Sequence, residues 1–375
     1  MDGPAFLRSV GNSPAAVTVL VRHLAKGTRH VGGLPQPWRT PAYAAAVAAL
    51  QRGELTEAER LAASAGPAGA VLRRLVAGEI GLVTPSPRRA PASAPDRGDA
   101  VLHLVTNALP ETVAGYTVRT QGIARAQRAR GLDVHVATRI GFPVTKGHLD
   151  AAGRVTVDGV QHHRALPARL PLRADTALAR DIELSARLVA SLRPAVLHAH
   201  SNHVNAQVAL ALRERFGIPV VYEVRGFLEE TWRSRSADPD AGSTDAYLWA
   251  RAAETQCLRA ADVVVTLSEV MRAEIVDRGV DPARVTVVPN CVDRALAEAG
   301  AAVPSRAPPG GPLTVGTVGT LNGYEGIDVL VDAVGDHRDF VRVDTTVHDL
   351  RAHDLVEGDD RVGRAQAVRL GGPGP

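Results

Sequence analysis

Between residues 100 and 293 short apolar runs alternate with segments of helical period, and this alternation leaves few folds open. Val101-Leu102-His103-Leu104-Val105 is the first run, and a helix is expected from Val118 to Arg130, ended by Gly131. Val134 to Thr138 is the second run. Ala195 to Ala199, a helix from Asn205 to Phe216 and the run Pro219 to Tyr222 repeat the pattern. A helix from about Ala246 to Ala260 then leads to Val263 to Leu267 and Val285 to Val288. Short apolar strands separated by helices of roughly 10–15 residues predict a parallel sheet covered on both faces. The fold class is α/β.

The flanks have a different texture. Residues 1–83 read as a helical leader, with Ala42 to Leu50 and Thr56 to Ala63 flanking the turn Gln51-Arg52-Gly53, and Val71 to Val76 as a further helix. Residues 84–99 form a linker, because the prolines at 85, 87, 91 and 95 forbid helix and central strand. The α/β domain then occupies residues 100–303, and 304–312 is a second Pro- and Gly-rich linker. Residues 313–334 open another doubly wound unit: strand Leu313 to Val318, loop Gly319 to Gly326, and a helix beginning at Ile327. Residues 335–375, with 6 arginines, 8 acids and few strand signals, read as an aberrant and disordered tail.

Charge separates the same regions. The net charge is +3, but residues 1–98 carry +6 and residues 99–375 carry −3. The α/β body therefore lacks the electrostatic footprint of a nucleic-acid binder, and aromatics at 3% exclude a base-stacking platform. The basic leader suits either a solvated helical surface or peripheral contact with anionic lipid at the inner face of a membrane. No apolar run nears the ~18 residues of a membrane span, and Met1 to Val21 lacks the parts of a secretory signal. Cys257 and Cys291 stand apart from any metal-type spacing, so reduced thiols and a cytoplasmic location are expected.

In parallel sheets ligands collect at the carboxyl ends of strands. The loop Thr106 to Tyr116 leaves the first strand and places Gly115 just before a helix. Such a glycine admits a substrate or anion close to the backbone, or simply makes a βα turn, and both readings stand. The G-x-G-x-x-G dinucleotide spacing is absent. His198 and His200 straddle Ala199 at a strand end, and their rings are expected on opposite faces, one in the cleft and one under a helix. A pair so spaced makes a poor metal site, and no matching Cys or carboxylate cluster stands out in the sequence. Glu223 and Arg225 follow another strand on one side, so either an internal ion pair or a polar substrate contact fits.

The order of these pieces is more telling than each alone. Pro110…Gly115-Tyr116-x-x-Arg119, Gly131 to Val136, and Val196-Leu197-His198-Ala199-His200-Ser201 come first. Ala260 to Ser268, Arg278-Gly279-Val280 and Val288-Pro289-Asn290-Cys291-Val292-Asp293 follow, then Val315 to Leu321 and Tyr324-Glu325-Gly326. Over about residues 100–334 this succession resembles family 4 glycosyltransferases of the GT-B fold. The resemblance implies a Rossmann-like acceptor domain and the start of a second such domain that binds a nucleotide-sugar donor. It implies retaining transfer to a glycan or small-molecule acceptor, with no metal or other cofactor. His200 matches the family's cleft histidine, which makes it the candidate catalytic residue. Gly115 and Tyr116 match the loop lining acceptor and donor phosphate, with Glu223 and Arg225 as polar cleft residues. Gly316, Gly319, Thr320, Glu325 and Gly326 match the donor-binding segment.

Two departures temper these expectations. Residues 313–334 contain no lysine or arginine to hold a diphosphate. The family's pair of donor-binding glutamates is missing, since Glu357 is the only glutamate of residues 335–375. A complete second domain takes on the order of 150 residues, and the change of texture near Val334 suggests truncation or a frame change. A crippled transferase is therefore expected. The alternatives are a non-catalytic binding or scaffold module on the acceptor fold, and another α/β enzyme that uses a nucleotide.

Overall fold

The computed structural model describes residues 40–83, 98–148, 151–236, 238–292 and 294–301, together with 313–315, 326, 329, 330, 332, 333 and 341–343. The chain divides into two compact units, residues 1–290 and 291–375.

The first unit is built on an eight-stranded sheet. Its strands are β1 (Ala100–Val105), β2 (Asp133–Thr138), β3 (Arg154–Val157), β4 (Val160–Arg164), β5 (Val196–His200), β6 (Val220–Val224), β7 (Val263–Thr266) and β8 (Val285–Val287). They lie in the order β3-β4-β2-β1-β5-β6-β7-β8, parallel throughout except for the β3–β4 hairpin. Sequence-adjacent β1 and β2 run one way across the sheet, whereas β5 to β8 run the other way from β1. The order reverses between β1 and β5, and crevices at such a switch point are where open α/β sheets bind ligands.

Helices cover both faces. In this unit they are α1 (Pro41–Arg52), α2 (Leu55–Ala63), α3 (Gly66–Val83), α4 (Gly115–Arg128), α5 (Ala174–Leu192), α6 (His203–Phe216), α7 (Leu228–Arg235), α8 (Asp245–Ala260) and α9 (Glu269–Asp277). Alternation along β1 and β5 sends Leu102, Leu104, Leu197 and Ala199 into the main core, against Val189 of α5 and Ala209 and Leu212 of α6. A smaller core of Val105, Ala124, Val134, Val136 and Val160 lies on the opposite face, beneath α4.

The described leader helices are part of this unit. Asp245, at the start of α8, accepts from the backbone N–H of Leu55 (2.6 Å) and Thr56 (2.7 Å), the orphan donors at the N-terminus of α2. Gly53 closes α1 in the left-handed region (φ 83°) and sits against Trp232 and Thr244, while Gln207 of α6 donates to the carbonyl of Leu82. Residues 1–39 and the Pro-rich segment 84–97 lie outside the described residues. Among the described residues no helix is long and apolar enough to cross a membrane.

In the second unit α10 (Arg294–Ala301) is followed by β9 (Leu313–Val315), which pairs in parallel with β10 (Val341–Val343). The strand β10 falls in the stretch read as having few strand signals. Val341 and Val343 alternate with Arg342, a signal too short to read without its partner strand. Nearly all the rest of residues 302–375 lies outside the described residues.

Candidate functional site

Three strand positions aim histidines at one point. His103 of β1 pairs in register with His198 of β5, so the two stand side by side on the face toward α4. His200, two residues along β5, shares that face. The ring centroids of His198 and His200 are 4.4 Å apart and the planes 18° from parallel. The expectation that these two rings point to opposite faces is therefore corrected: side chains two apart on a strand share a face, because the pleat repeats every second residue. His103 completes the group, with centroids 4.7 Å from His198 and 5.1 Å from His200.

His103 and His200 are joined in a line of polar contacts, with His198 beside it. His103 Nε2 lies 2.7 Å from Gln127 Oε1 of α4, and His103 Nδ1 lies 2.8 Å from His200 Nε2. His200 Nδ1 is in contact with Arg225 Nη2. His198 Nε2 is 3.1 Å from Glu223 Oε2. All three rings are buried, and His200 is 2% exposed.

Glu223 is the hub. Its Oε1 accepts from Arg119 Nε and from Arg225 Nε, each at 2.8 Å. The internal ion pair expected of Glu223 and Arg225 is present, joined by a second guanidinium from α4. Arg119 spends its remaining donors on Val288 O, Pro289 O and Asn290 Oδ1, and so ties α4 to the segment after β8. Arg225 Nη1 donates to Tyr116 O and to Thr120 Oγ1. Two arginines and one carboxylate leave a surplus positive charge at the carboxyl ends of β5 and β6.

The electrostatics follow from burial and neighbours. Burial, then the adjacent His198, pushes His103 down to about 3. Burial, His198 and Arg225 hold His200 well below the ordinary imidazole value. For Glu223 burial acts upward, but the His198 and Arg225 contacts outweigh it and keep the carboxyl below the usual range. His103 and His200 are thus held below the ordinary imidazole value, beside a charged Glu223 paired with two arginines.

The mouth of the site is the loop from β1 to α4. Tyr116 is 44% exposed and its hydroxyl accepts from Asn107 Nδ2 at 2.8 Å. A Cβ placed on Gly115 would meet nothing within 4 Å, so open space lies beside the first turn of α4. Gly115, Tyr116, His200, Glu223 and Arg225 therefore gather at the switch point. Of the residues expected to bind a donor, Gly316, Gly319, Thr320 and Glu325 lie outside the described residues. Gly326, with φ 67°, belongs to the second unit.

Sequence alone missed His103 and Gln127 and assigned no role to Arg119. A histidine inside the apolar run of β1 was the available signal; its partners are set by the β1–β5 register, which spacing does not show. The same register adds a third histidine to the pair that was read as a poor metal site. The ligand nitrogens of His103, His198 and His200 lie within 4.8 Å of one another, the one grouping among the described residues that could hold a metal ion.

Residues 114–291 match the glycosyl transferase 4-like domain. Among solved structures, a sucrose-phosphate synthase from Thermosynechococcus elongatus is 18% identical with a TM-score of 0.48, over 66% of this chain and 62% of its own. The chain thus spans about three fifths of that relative's length. Anabaena HepE, solved with UDP and glucose, is 15% identical with a TM-score of 0.42, over 65% of this chain and 60% of its own. Acinetobacter baumannii MurG is 12% identical with a TM-score of 0.39, over 68% of each chain. No curated protein matches.

Proposed function

We propose that this chain, a family 4 glycosyltransferase of the GT-B fold by its glycosyl transferase 4-like domain at residues 114–291, transfers a sugar from a nucleotide-sugar donor with retention of configuration. The observation that carries the reading is the position of the charged cluster. It lies inside the family match and at the switch point of the sheet, with a surplus cation. Such a surplus stabilises the charge of a departing diphosphate, and it is fixed before the reaction begins. The reading needs no metal ion.

In this reading Gly115 and Tyr116 line the acceptor and the donor phosphates, where the first-turn N–H groups of α4 and the open side of Gly115 admit an anion. Arg225 and Arg119 supply the positive charge, and Glu223 orients both. His200 acts through Arg225, because both of its ring nitrogens are engaged within the protein. Gly316, Gly319, Thr320, Glu325 and Gly326 are assigned to the donor. The acceptor is a glycan or small molecule.

Residues 313–334 supply no cation and residues 335–375 no paired glutamates, so the 375-residue chain by itself should hold the donor weakly. Calorimetry with a panel of uridine, guanosine and adenosine diphosphate sugars is expected to show no micromolar binding, and nucleotide release should stay at background. Fusing a complete donor half from a relative should restore turnover, and Arg225→Ala in that fusion should reduce it by about 10²-fold. Micromolar affinity and turnover from the chain alone would refute the weak-donor reading. A folded fusion that binds donor yet stays inactive would favour a binding module over a transferase.

A further inference from the structure

Within the cluster runs a line of hydrogen bonds whose direction is set at one end by chemistry. Arg225 Nη2 faces His200 Nδ1, and a guanidinium can only donate. His200 Nδ1 is therefore bare, and the proton of the neutral ring sits on Nε2. That nitrogen lies 2.8 Å from His103 Nδ1, which must accept. His103 then carries its own proton on Nε2, 2.7 Å from Gln127 Oε1, an amide oxygen that accepts. Each member receives from one side and gives to the other. The opposite polarity, with the Gln127 amide turned over, would drive a His200 Nδ1–H into the Arg225 N–H. An imidazolium at either ring would likewise set donor against donor, and burial opposes it.

We propose that Gln127 and His103 are positioning residues, which hold His200 as the neutral Nε2–H tautomer and, through its bare Nδ1, aim Arg225 at Tyr116 O and Thr120 at the mouth of the crevice. The tautomer assignment stands on hydrogen-bond chemistry alone; the use of the aimed cation rests on the transferase reading above. A guanidinium has many rotamers, and fixing one costs side-chain entropy that a substrate would otherwise have to supply on binding. Gln127 on the last turn of α4, Tyr116 on its first turn and the histidines of two strands are thereby linked into one frame. This arrangement and a metal ion held by these rings are alternatives. Such an ion would take His103 Nδ1 and His200 Nε2, the two atoms that one proton joins here.

Nitrogen-15 NMR of the full chain labelled at histidine tests the assignment, with His103→Gln and His200→Gln used only to identify resonances. At pH 7 both rings are expected to show a protonated Nε2 and a bare Nδ1. Gln127→Leu should remove the slowly exchanging His103 Nε2–H and speed hydrogen exchange at the Arg225 guanidinium by about tenfold or more. Gln127→Glu, which still accepts, should keep the wild-type tautomers. His200 found as the Nδ1–H form or as imidazolium at pH 7 would overturn the proposal. So would stoichiometric uptake of added Zn²⁺ with loss of the His200 Nε2 proton, or a Gln127→Leu spectrum identical to wild type. If Gln127→Leu fails to fold, the wild-type and Gln127→Glu spectra still decide. Loss of the transferase reading would appear separately, as an inactive donor-half fusion whose tautomer pattern is intact.

Discussion

Glu223 faces two guanidiniums and two imidazoles at 1% exposure, and its charge is what permits both arginines to sit half-buried beside it. Desolvating three ions is costly, and the pairing offsets that cost only while every partner is present. Glu223→Gln keeps the shape but removes the negative charge, so two cations are left facing each other and a lost acceptor. We expect a stability loss of about 3–5 kcal/mol by urea unfolding, the range for breaking a buried pair from one side. A loss under about 1 kcal/mol would show that water reaches the site and screens the arginines. His198 bears on the same balance. Its Nε2 contact with Glu223 Oε2 is the fourth interaction holding the carboxylate charged.

At the scale of elements, the leader is coupled to the sheet domain through one carboxylate. Asp245 Oδ2 accepts from Thr56 N and Thr56 Oγ1, both at 2.7 Å, and its Oδ1 takes Leu55 N, so it caps α2 from 190 residues away. Glu54, the residue that precedes α2, supplies no side-chain cap of its own. Asp245→Ala should therefore cost about 1–2 kcal/mol, the range for losing a helix cap with charge-assisted bonds. It should also make the α1–α2 turn a preferred site of limited proteolysis. Unchanged cleavage would mean that the apolar contacts of Trp249 and Ala246 hold the leader unaided. The elements expected from sequence, β1, β2, β5 to β8, α4, α6 and α8, were legible because their strands are short, mostly apolar runs and α4 and α6 end at or near a glycine. The β3–β4 hairpin was not read, although Asp158-Gly159, both at positive φ, is a two-residue turn signal. Its strand β4 carries Gln161, His162, His163 and Arg164, so apolarity alone passes over it. Helix α5 was also missed, because Ser185 and Ala186 dilute the stripe formed by Leu178, Ile182 and Val189. Site residues at strand ends could be found by position. Their joining through His103 and Gln127 could not, since it depends on register and on an opposing helix.

For the first unit as a whole, the buried histidines make stability a function of acidity. His103 is pushed down to about 3 by burial and by His198. Burial, with nearby positive groups, pushes His162 and His163 each to about 4, and His200 lies well below its ordinary value. An unfolded imidazole titrates near 6.5, so between about 6.5 and 4 the unfolded chain binds protons that the folded chain refuses. Stability therefore falls as the pH is lowered through that window. Asp181 acts the other way. Burial raises its carboxyl to about 6 against the bond from Ile140 N, the charge of Arg139 and the bond from Ser185, so the folded state binds its proton first. Four imidazoles against one carboxyl leave acid destabilising, at about 1.4 kcal/mol per pH unit for each net proton taken up on unfolding. Marginal stabilities are on the order of 5–15 kcal/mol, so a drop of a few kcal/mol is readily measured. Urea denaturation at pH 7, 6 and 5 should give midpoints that fall at each step, steepening below pH 6 as more imidazoles take up protons in the unfolded chain. Constant midpoints across that range would mean that the histidine array is hydrated and exchanges protons freely in the folded protein, and the neutral line from Gln127 to Arg225 would have to be abandoned with it.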